Sequence, residues 1–242
     1  MPSQAASRLR AAVDLLARVP KISAAQPFVL DAGCGMGSTS KMLLERFPPA
    51  RLLCLEPSAE RLEQAKADRE LSGRSLVSFE HGDVDEHFSA ASLTAGGSLY
   101  DLVFCSDAMH RSPDMLGLLE RQLNRIRPGG TLAMQVLDES THHQQPAHAL
   151  LTELAAELGV SAALDAATAD SSQPPPPSEL AELLLGPLCA SLDMWSTTYT
   201  LTLPGEEAVY DHMMHGGDGG VGGGRSSSCS AENVGSGPLP KL

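Results

Sequence analysis

The run Val29-Leu30-Asp31-Ala32-Gly33-Cys34-Gly35-Met36-Gly37 decides the fold. Phe28–Asp31 reads as a short buried strand, the glycines as a tight turn, and Ser38–Phe47 as a helix with Thr39, Leu43 and Phe47 on one stripe. The same alternation continues downstream. Arg51–Glu56, Leu76–His81, Tyr100–Cys105 and Thr131–Leu137 read as strands. Ser58–Glu70 reads as a helix with Ser58 as its N-cap. Leu116, Leu119, Leu123 and Ile126 form another helical stripe, stopped by Arg127-Pro128-Gly129-Gly130. Apolar strands alternating with helices predict an α/β, doubly wound, mostly parallel sheet with helices on both faces.

Outside this block the pattern changes. Leu9, Val13 and Leu16 make Ser7–Val19 an amphipathic helix ending before Pro20, and a secretory signal is not predicted. Leu150, Leu154 and Leu158 predict a helix over Pro146–Leu158. Residues 161–178, rich in Ala, Ser and Asp and ending in Pro174–Pro177, read as a flexible insertion. A short helix, Glu179–Leu185, and a long strand, Leu192–Leu203, are predicted after it, with Trp195 and Tyr199 on one strand face. One domain is expected over residues 7–212, and residues 213–242, Gly- and Ser-rich, are expected to be a disordered tail.

The 242 residues carry a net charge of −13, and no Lys or Arg stands between Pro128 and Gly224. That balance disfavours nucleic acid and anionic membranes as partners. No apolar run approaches the ~18 residues of a spanning helix. Cys34, Cys54, Cys105, Cys189 and Cys229 form no Cys-x-x-Cys pair and read as reduced, mostly buried thiols. His142, His143 and His148 match no helical zinc spacing, so no metal site is predicted. A cytoplasmic location is the expectation, with the oligomeric state open and a monomer favoured.

The glycine turn lies where a doubly wound sheet binds its ligand, beyond the carboxyl ends of the strands. Gly33, Gly35 and Gly37 allow close approach of a ligand, and Glu56, at the end of the second strand, can accept hydrogen bonds from two ribose hydroxyls. A dinucleotide fingerprint requires Gly-x-Gly-x-x-Gly, whereas here the last glycine comes one residue early and position 38 is Ser. The Asp31 carboxylate would repel a pyrophosphate but favours an ammonium. S-adenosylmethionine carries an ammonium and a sulfonium and no phosphate, so it is the expected cofactor. A nicotinamide-dependent oxidoreductase is the weaker reading.

The loop from Asp31 to Gly37 resembles the first motif of the class I S-adenosylmethionine-dependent methyltransferases. Glu56-Pro57-Ser58 resembles their ribose-binding strand end, Gly82-Asp83-Val84 their adenine-edge segment, and Arg127 to Leu132 the turn into their fifth strand. Ala12 to Pro20, Met134-Gln135-Val136 and Leu192 to Tyr199 are further similar to the trans-aconitate 2-methyltransferase family. The resemblance implies a Rossmann-like fold and a cofactor site of Asp31, Gly33, Gly35, Gly37, Glu56, Pro57, Asp83, Val84, Cys105 and Ser106. It also implies methyl transfer to a small molecule, a carboxylic acid.

Against that family the chain departs in three places. Arg111 stands where relatives often have Trp, the segment before the first helix is shorter, and the last strand and helical cap look to be missing. A truncated, non-catalytic relative is therefore the alternative expectation. A carboxylate acceptor is already ionised and needs no general base. An acceptor that must lose a proton would use His110, so His110 and Arg111 are the candidate catalytic residues. The cations available to an anionic acceptor are Arg111, Arg8 and Arg10, with His110, His142 and His143 as weaker donors. Asp83 also reads as a turn residue or helix cap. The paucity of cations argues against trans-aconitate itself.

Overall fold

The structure, a computed structural model, describes residues 4–89, 99–109 and 112–136 and scattered positions between 153 and 231. Five strands form one sheet: β1 (Phe28–Ala32), β2 (Arg51–Glu56), β3 (Val77–His81), β4 (Tyr100–Ser106) and β5 (Ile126–Gln135). Their order is β3-β2-β1-β4-β5 and every pairing is parallel. The doubly wound, parallel α/β prediction holds. The order runs outward from β1 in both directions, so the loops leaving β1 and β4 part around a crevice at the carboxyl edge.

Alternation along the strands builds two cores. Val29, Leu52, Cys54, Leu102 and Phe104 are buried with side chains of α1 (Gln4–Arg18), α2 (Ser38–Arg46), α3 (Ala59–Ala67) and α4 (Arg69–Ser72). Leu30, Ala32, Leu55, Val103 and Cys105 are buried with α5 (Val84–His87) and α6 (Met115–Leu123) on the other side. Each fully buried Leu or Phe contributes roughly 1.5–3 kcal/mol. The amphipathic reading of the first helix holds: Ala12, Leu15 and Leu16 are buried, and α1 packs on β5, β4 and α2.

The boundaries differ in instructive ways. Ser58 caps its helix as predicted, its hydroxyl accepting from Arg61 N at 3.4 Å. The predicted helix over 58–70 nevertheless breaks at Asp68, which adopts an extended backbone (φ −68°, ψ 121°) and caps α4 through Glu70 N at 2.8 Å. Its other oxygen accepts from Lys41 Nζ at 2.8 Å, and this bond holds the Asp68 carboxyl below the usual range. An aspartate with both a cap and a cation to satisfy competes with the helix ladder. The short helix α5, capped by Asp83, is an addition to the predicted elements.

β5 begins at Ile126 and runs through Arg127-Pro128-Gly129-Gly130, which the sequence reading treats as a stop. The run is accommodated by a register irregularity opposite Tyr100 and Leu102. Ile126 thus belongs to the sheet, and α6 ends at Leu123. The predicted strand over 192–203 is not formed at residues 192–195 or 197. Leu192 and Met194 pack on the second core, and the Arg18 guanidinium stacks 4.1 Å from the Trp195 ring, so packing accounts for the alternation there. Among the described residues of that stretch, β6 (Tyr199–Thr200) pairs, antiparallel, with β7 (Ser230–Ala231). Most of the predicted helices over 146–158 and 179–185, all of 161–178, and most of 213–242 lie outside the described residues. No helix among the described residues is long and apolar enough to cross a membrane.

Two polar groups brace the sheet. Asp101 Oδ2 accepts from Phe28 N and from Arg127 Nη1, both at 2.7 Å, joining the starts of β1 and β5 to β4. His87 bridges Glu80 Oε1 at 2.7 Å and the Tyr100 hydroxyl at 2.8 Å, and burial pushes that hydroxyl up to about 12. Asp101→Ala should cost about 2–3 kcal/mol, since it strands the buried Phe28 N–H and removes the partner of Arg127. Urea titration monitored by circular dichroism reads this loss. A variant as stable as the parent would show that the brace carries nothing.

Candidate functional site

The crevice is built from the residue at the end of each central strand. Asp31 occupies the penultimate position of β1 and is 1 % exposed. Its Oδ2 accepts from Thr39 Oγ1 at 2.7 Å and from Ser40 Oγ at 2.6 Å, both at the start of α2. Its Oδ1 has no hydrogen-bond partner. Burial pushes the carboxyl up to about 6, the two hydroxyls oppose the rise, and the Glu56 charge adds to it. The role of Thr39 and Ser40 was not foreseen. A run of hydroxyl residues at a helix start whose own N-cap, Gly37, makes no side-chain cap bond is the signal that could have found it.

Glu56 ends β2 and is buried. Its Oε2 accepts from Gly35 N at 2.9 Å and its Oε1 from Ser58 N at 3.0 Å. Each carboxylate oxygen has two lone pairs, so both retain acceptor capacity for hydroxyl groups. Between the two acids the turn is tied to β2 by Gly33 N and Cys34 N, which donate to Leu55 O at 2.8 and 3.0 Å. Gly33 and Gly37 have φ of +82° and +89°. A Cβ at Gly33 would collide with the Ala108 Cβ, and one at Gly37 with the Leu71 Cδ1. Beside Gly35 a Cβ would meet nothing within 4 Å, so open space faces the middle of the turn.

The remaining predicted residues fall into three groups. Pro57 is exposed, and its carbonyl oxygen lies 2.9 Å from His81 Nε2, joining the turn after β2 to the end of β3. Asp83 is exposed and caps α5 through Asp85 N at 2.8 Å, the role its Gly-Asp context also suggested. Ser106 is partly exposed at the end of β4. Val84 and Cys105, by contrast, are core residues, 4 % and 0 % exposed. Alternation along β4 turns the Cys105 side chain into the second core, where burial pushes the thiol up to about 12. Cys34 and Cys54 are likewise free and buried, and the neighbouring Cys54 together with burial pushes the Cys34 thiol up. His110, Arg111, His142, His143 and His148 lie outside the described residues.

The structure adds Asp107, which follows β4 in a left-handed conformation (φ 60°) and forms an ion pair with Arg8 Nε at 2.9 Å. Aspartate is among the few residues that visit this region, but the sequence around it gives no turn signal.

Comparison with known proteins settles the family. A model described as a methyltransferase domain matches residues 30–132. Trans-aconitate 2-methyltransferase of Methylobacterium nodulans is 35 % identical over 204 residues, 84 % of this chain and 72 % of that protein. The chain belongs to the trans-aconitate 2-methyltransferase family. The enzymes of the same name from Azoarcus sp. (33 % over 204 residues, 84 % and 72 % covered) and Deinococcus radiodurans (35 % over 210 residues, 85 % and 74 % covered) agree. The protein is thus an S-adenosylmethionine-dependent methyltransferase, as the glycine turn implied.

The residues of this methyltransferase fit that cofactor. The unpartnered Asp31 Oδ1 calls for a donor, the Gly35 turn leaves room for a ligand, and Glu56 keeps acceptor capacity. Glu56→Gln should weaken S-adenosylhomocysteine about 10-fold or more, because the amide turns an N–H group toward one of two backbone donors. Isothermal titration calorimetry measures this, and an unchanged affinity would remove Glu56 from the site.

Proposed function

We propose that this methyltransferase methylates a small-molecule carboxylic acid, of the trans-aconitate type, within the crevice between β1 and β4. The single observation that carries the placement is the buried Asp31 with one unpartnered oxygen, standing beside a glycine turn clamped by Glu56. The acceptor class is supported by the names of the relatives, which are trans-aconitate 2-methyltransferases.

Bound S-adenosylmethionine supplies a sulfonium methyl that is transferred in line. Asp31 takes the ammonium group at its Oδ1, held by Thr39 and Ser40 at Oδ2. Glu56 receives the ribose hydroxyls on the lone pairs that Gly35 and Ser58 leave. Gly33, Gly35 and Gly37 bring the backbone close to the ligand. Pro57, Asp83, Val84 and Ser106 shape the nucleoside end, Val84 from beneath through the core. An acceptor carboxylate is ionised at neutral pH, so it would need no base among these residues to attack the sulfonium methyl, and S-adenosylhomocysteine would be the leaving group. Orientation and water exclusion supply the rate enhancement. An acceptor with a proton to lose would place His110 as base, with Arg111 beside it.

The test has two readouts. Calorimetry should show micromolar binding of S-adenosylhomocysteine, and a tritiated-methyl screen should show transfer to di- or tricarboxylates. No heat up to millimolar ligand, or heat with NADH instead, would overturn the cofactor site. Transfer only to amines or phenols would overturn the acceptor class.

A further inference from the structure

We propose that Arg8 is a carboxylate-binding residue of the crevice, held there by Asp107; the inference deepens the cofactor and acceptor reading above and rests on it. Three observations carry it. The first is position. Arg8 stands four residues before Ala12 on α1, so it shares the helix face that carries the buried Ala12 and Leu15. That face lies on β4 and β5. Arg8 continues the stripe toward the helix start, and its Nε reaches Asp107 Oδ2 at 2.9 Å.

The second is the setting of Asp107. Its N–H donates to Gln135 O at 3.2 Å, tying it to the end of β5. The next residue, Ala108, fills the space beside Gly33. The ion pair is therefore one residue from the wall of the cofactor turn. The left-handed backbone at Asp107 (φ 60°) is one that aspartate adopts more readily than most residues, and it stands at the mouth of the ligand crevice.

The third is charge. Asp31, Glu56 and Asp107 all stand at the carboxyl edge of the sheet, and residues 128–224 contain no Lys or Arg. An anion entering beside these acids needs a cation. The Arg8 side chain is 45 % exposed and its bond to Asp107 engages Nε, while a guanidinium carries five N–H donors. Asp107 thereby orients the planar fork, and the donors on its other edge suit a carboxylate. Two carboxylates can come to this place: the one at the amino-acid end of S-adenosylmethionine and one on the acceptor.

The full-length chain tests this with Arg8→Gln, Arg8→Lys and Asp107→Asn. If the partner is the cofactor carboxylate, Arg8→Gln weakens S-adenosylhomocysteine roughly 10- to 100-fold by calorimetry and leaves 5′-methylthioadenosine, which lacks the amino-acid end, unchanged. If the partner is on the acceptor, affinity for S-adenosylhomocysteine holds, and the KM for trans-aconitate rises by a similar factor with the effect falling on KM over kcat. Arg8→Lys should recover part of either loss, and Asp107→Asn should give a smaller loss of the same kind. Arg8→Gln with both constants unchanged overturns the proposal, as does a loss that methylthioadenosine shares. Should Arg8→Gln fold poorly by thermal melt, the same comparison is made with Asp107→Asn. If the parent binds S-adenosylhomocysteine but methylates no carboxylate, the acceptor reading fails while the methylthioadenosine comparison still decides Arg8.

Discussion

Asp31→Asn is expected to stabilise the unliganded protein and to abolish measurable binding of S-adenosylhomocysteine. The carboxyl is 1 % exposed, one oxygen is unpartnered, and burial lifts its pKa from 3.8 to about 6. Because the native value lies above the unfolded one, the folded protein holds the extra proton between those limits. The stability this confers is fully present below about pH 3.8 and is lost as pH rises through about 6. At neutral pH the buried ionised group therefore costs roughly 3 kcal/mol relative to its protonated form. Asparagine keeps an oxygen for Thr39 and Ser40 and carries no charge. A gain of about 1–2 kcal/mol at pH 7.5, several degrees in Tm, is the expected result. At pH 5 the gain should shrink, because Asp31 is then protonated in the parent too. The ligand effect has the opposite sign: an amide cannot balance the ammonium, and the loss should be about 100-fold or more. In the parent, affinity should fall roughly tenfold per unit below pH 6. A variant that melts lower at both pH values and still binds ligand would show that Asp31 is a structural acid only.

Gly33→Ala should be the most damaging conservative change in the turn. A left-handed alanine costs roughly 1–2 kcal/mol. Its Cβ would also occupy the place of the Ala108 Cβ, an atom fixed to its own backbone that cannot swing aside. Either the segment after β4 retreats, or the bonds from Gly33 N and Cys34 N to Leu55 O stretch. Together these effects amount to about 3 kcal/mol, a drop of roughly 6–12 °C in Tm. The double variant Gly33→Ala/Ala108→Gly removes the collision but leaves the backbone strain, so it should recover about half of the loss. No recovery would mean that the strain is not relieved at the contact between the β1 and β4 loops.

The fold was readable because its decisive features are local. Five short apolar runs, each followed by a turn or cap, set the strands, and the glycine turn set their relation to a ligand. The acids Asp31 and Glu56 were readable for the same reason, standing at strand ends. What escaped were features that depend on partners distant in sequence. Asp68 leaves the helix because Lys41 waits for it. Ile126 joins the sheet because β4 offers an edge, and periodicity alone assigned it to the preceding helix. The direction of the Cys105 side chain, into the core, follows from the alternation along β4. Asp107 gave no signal at all, since its ion pair reaches back to the first helix.

The position of that first helix has a consequence for synthesis. α1 is made before the strands it covers, and β4 and β5 are completed about a hundred residues later, roughly 5–20 s at ordinary translation rates. During that interval Ala12, Leu15, Leu16 and Val19 have no sheet to rest on. The nascent chain thus trails an oily ribbon, a natural place for a chaperone to hold, and the guanidinium at its tip arrives at the crevice only when everything beneath it is in place.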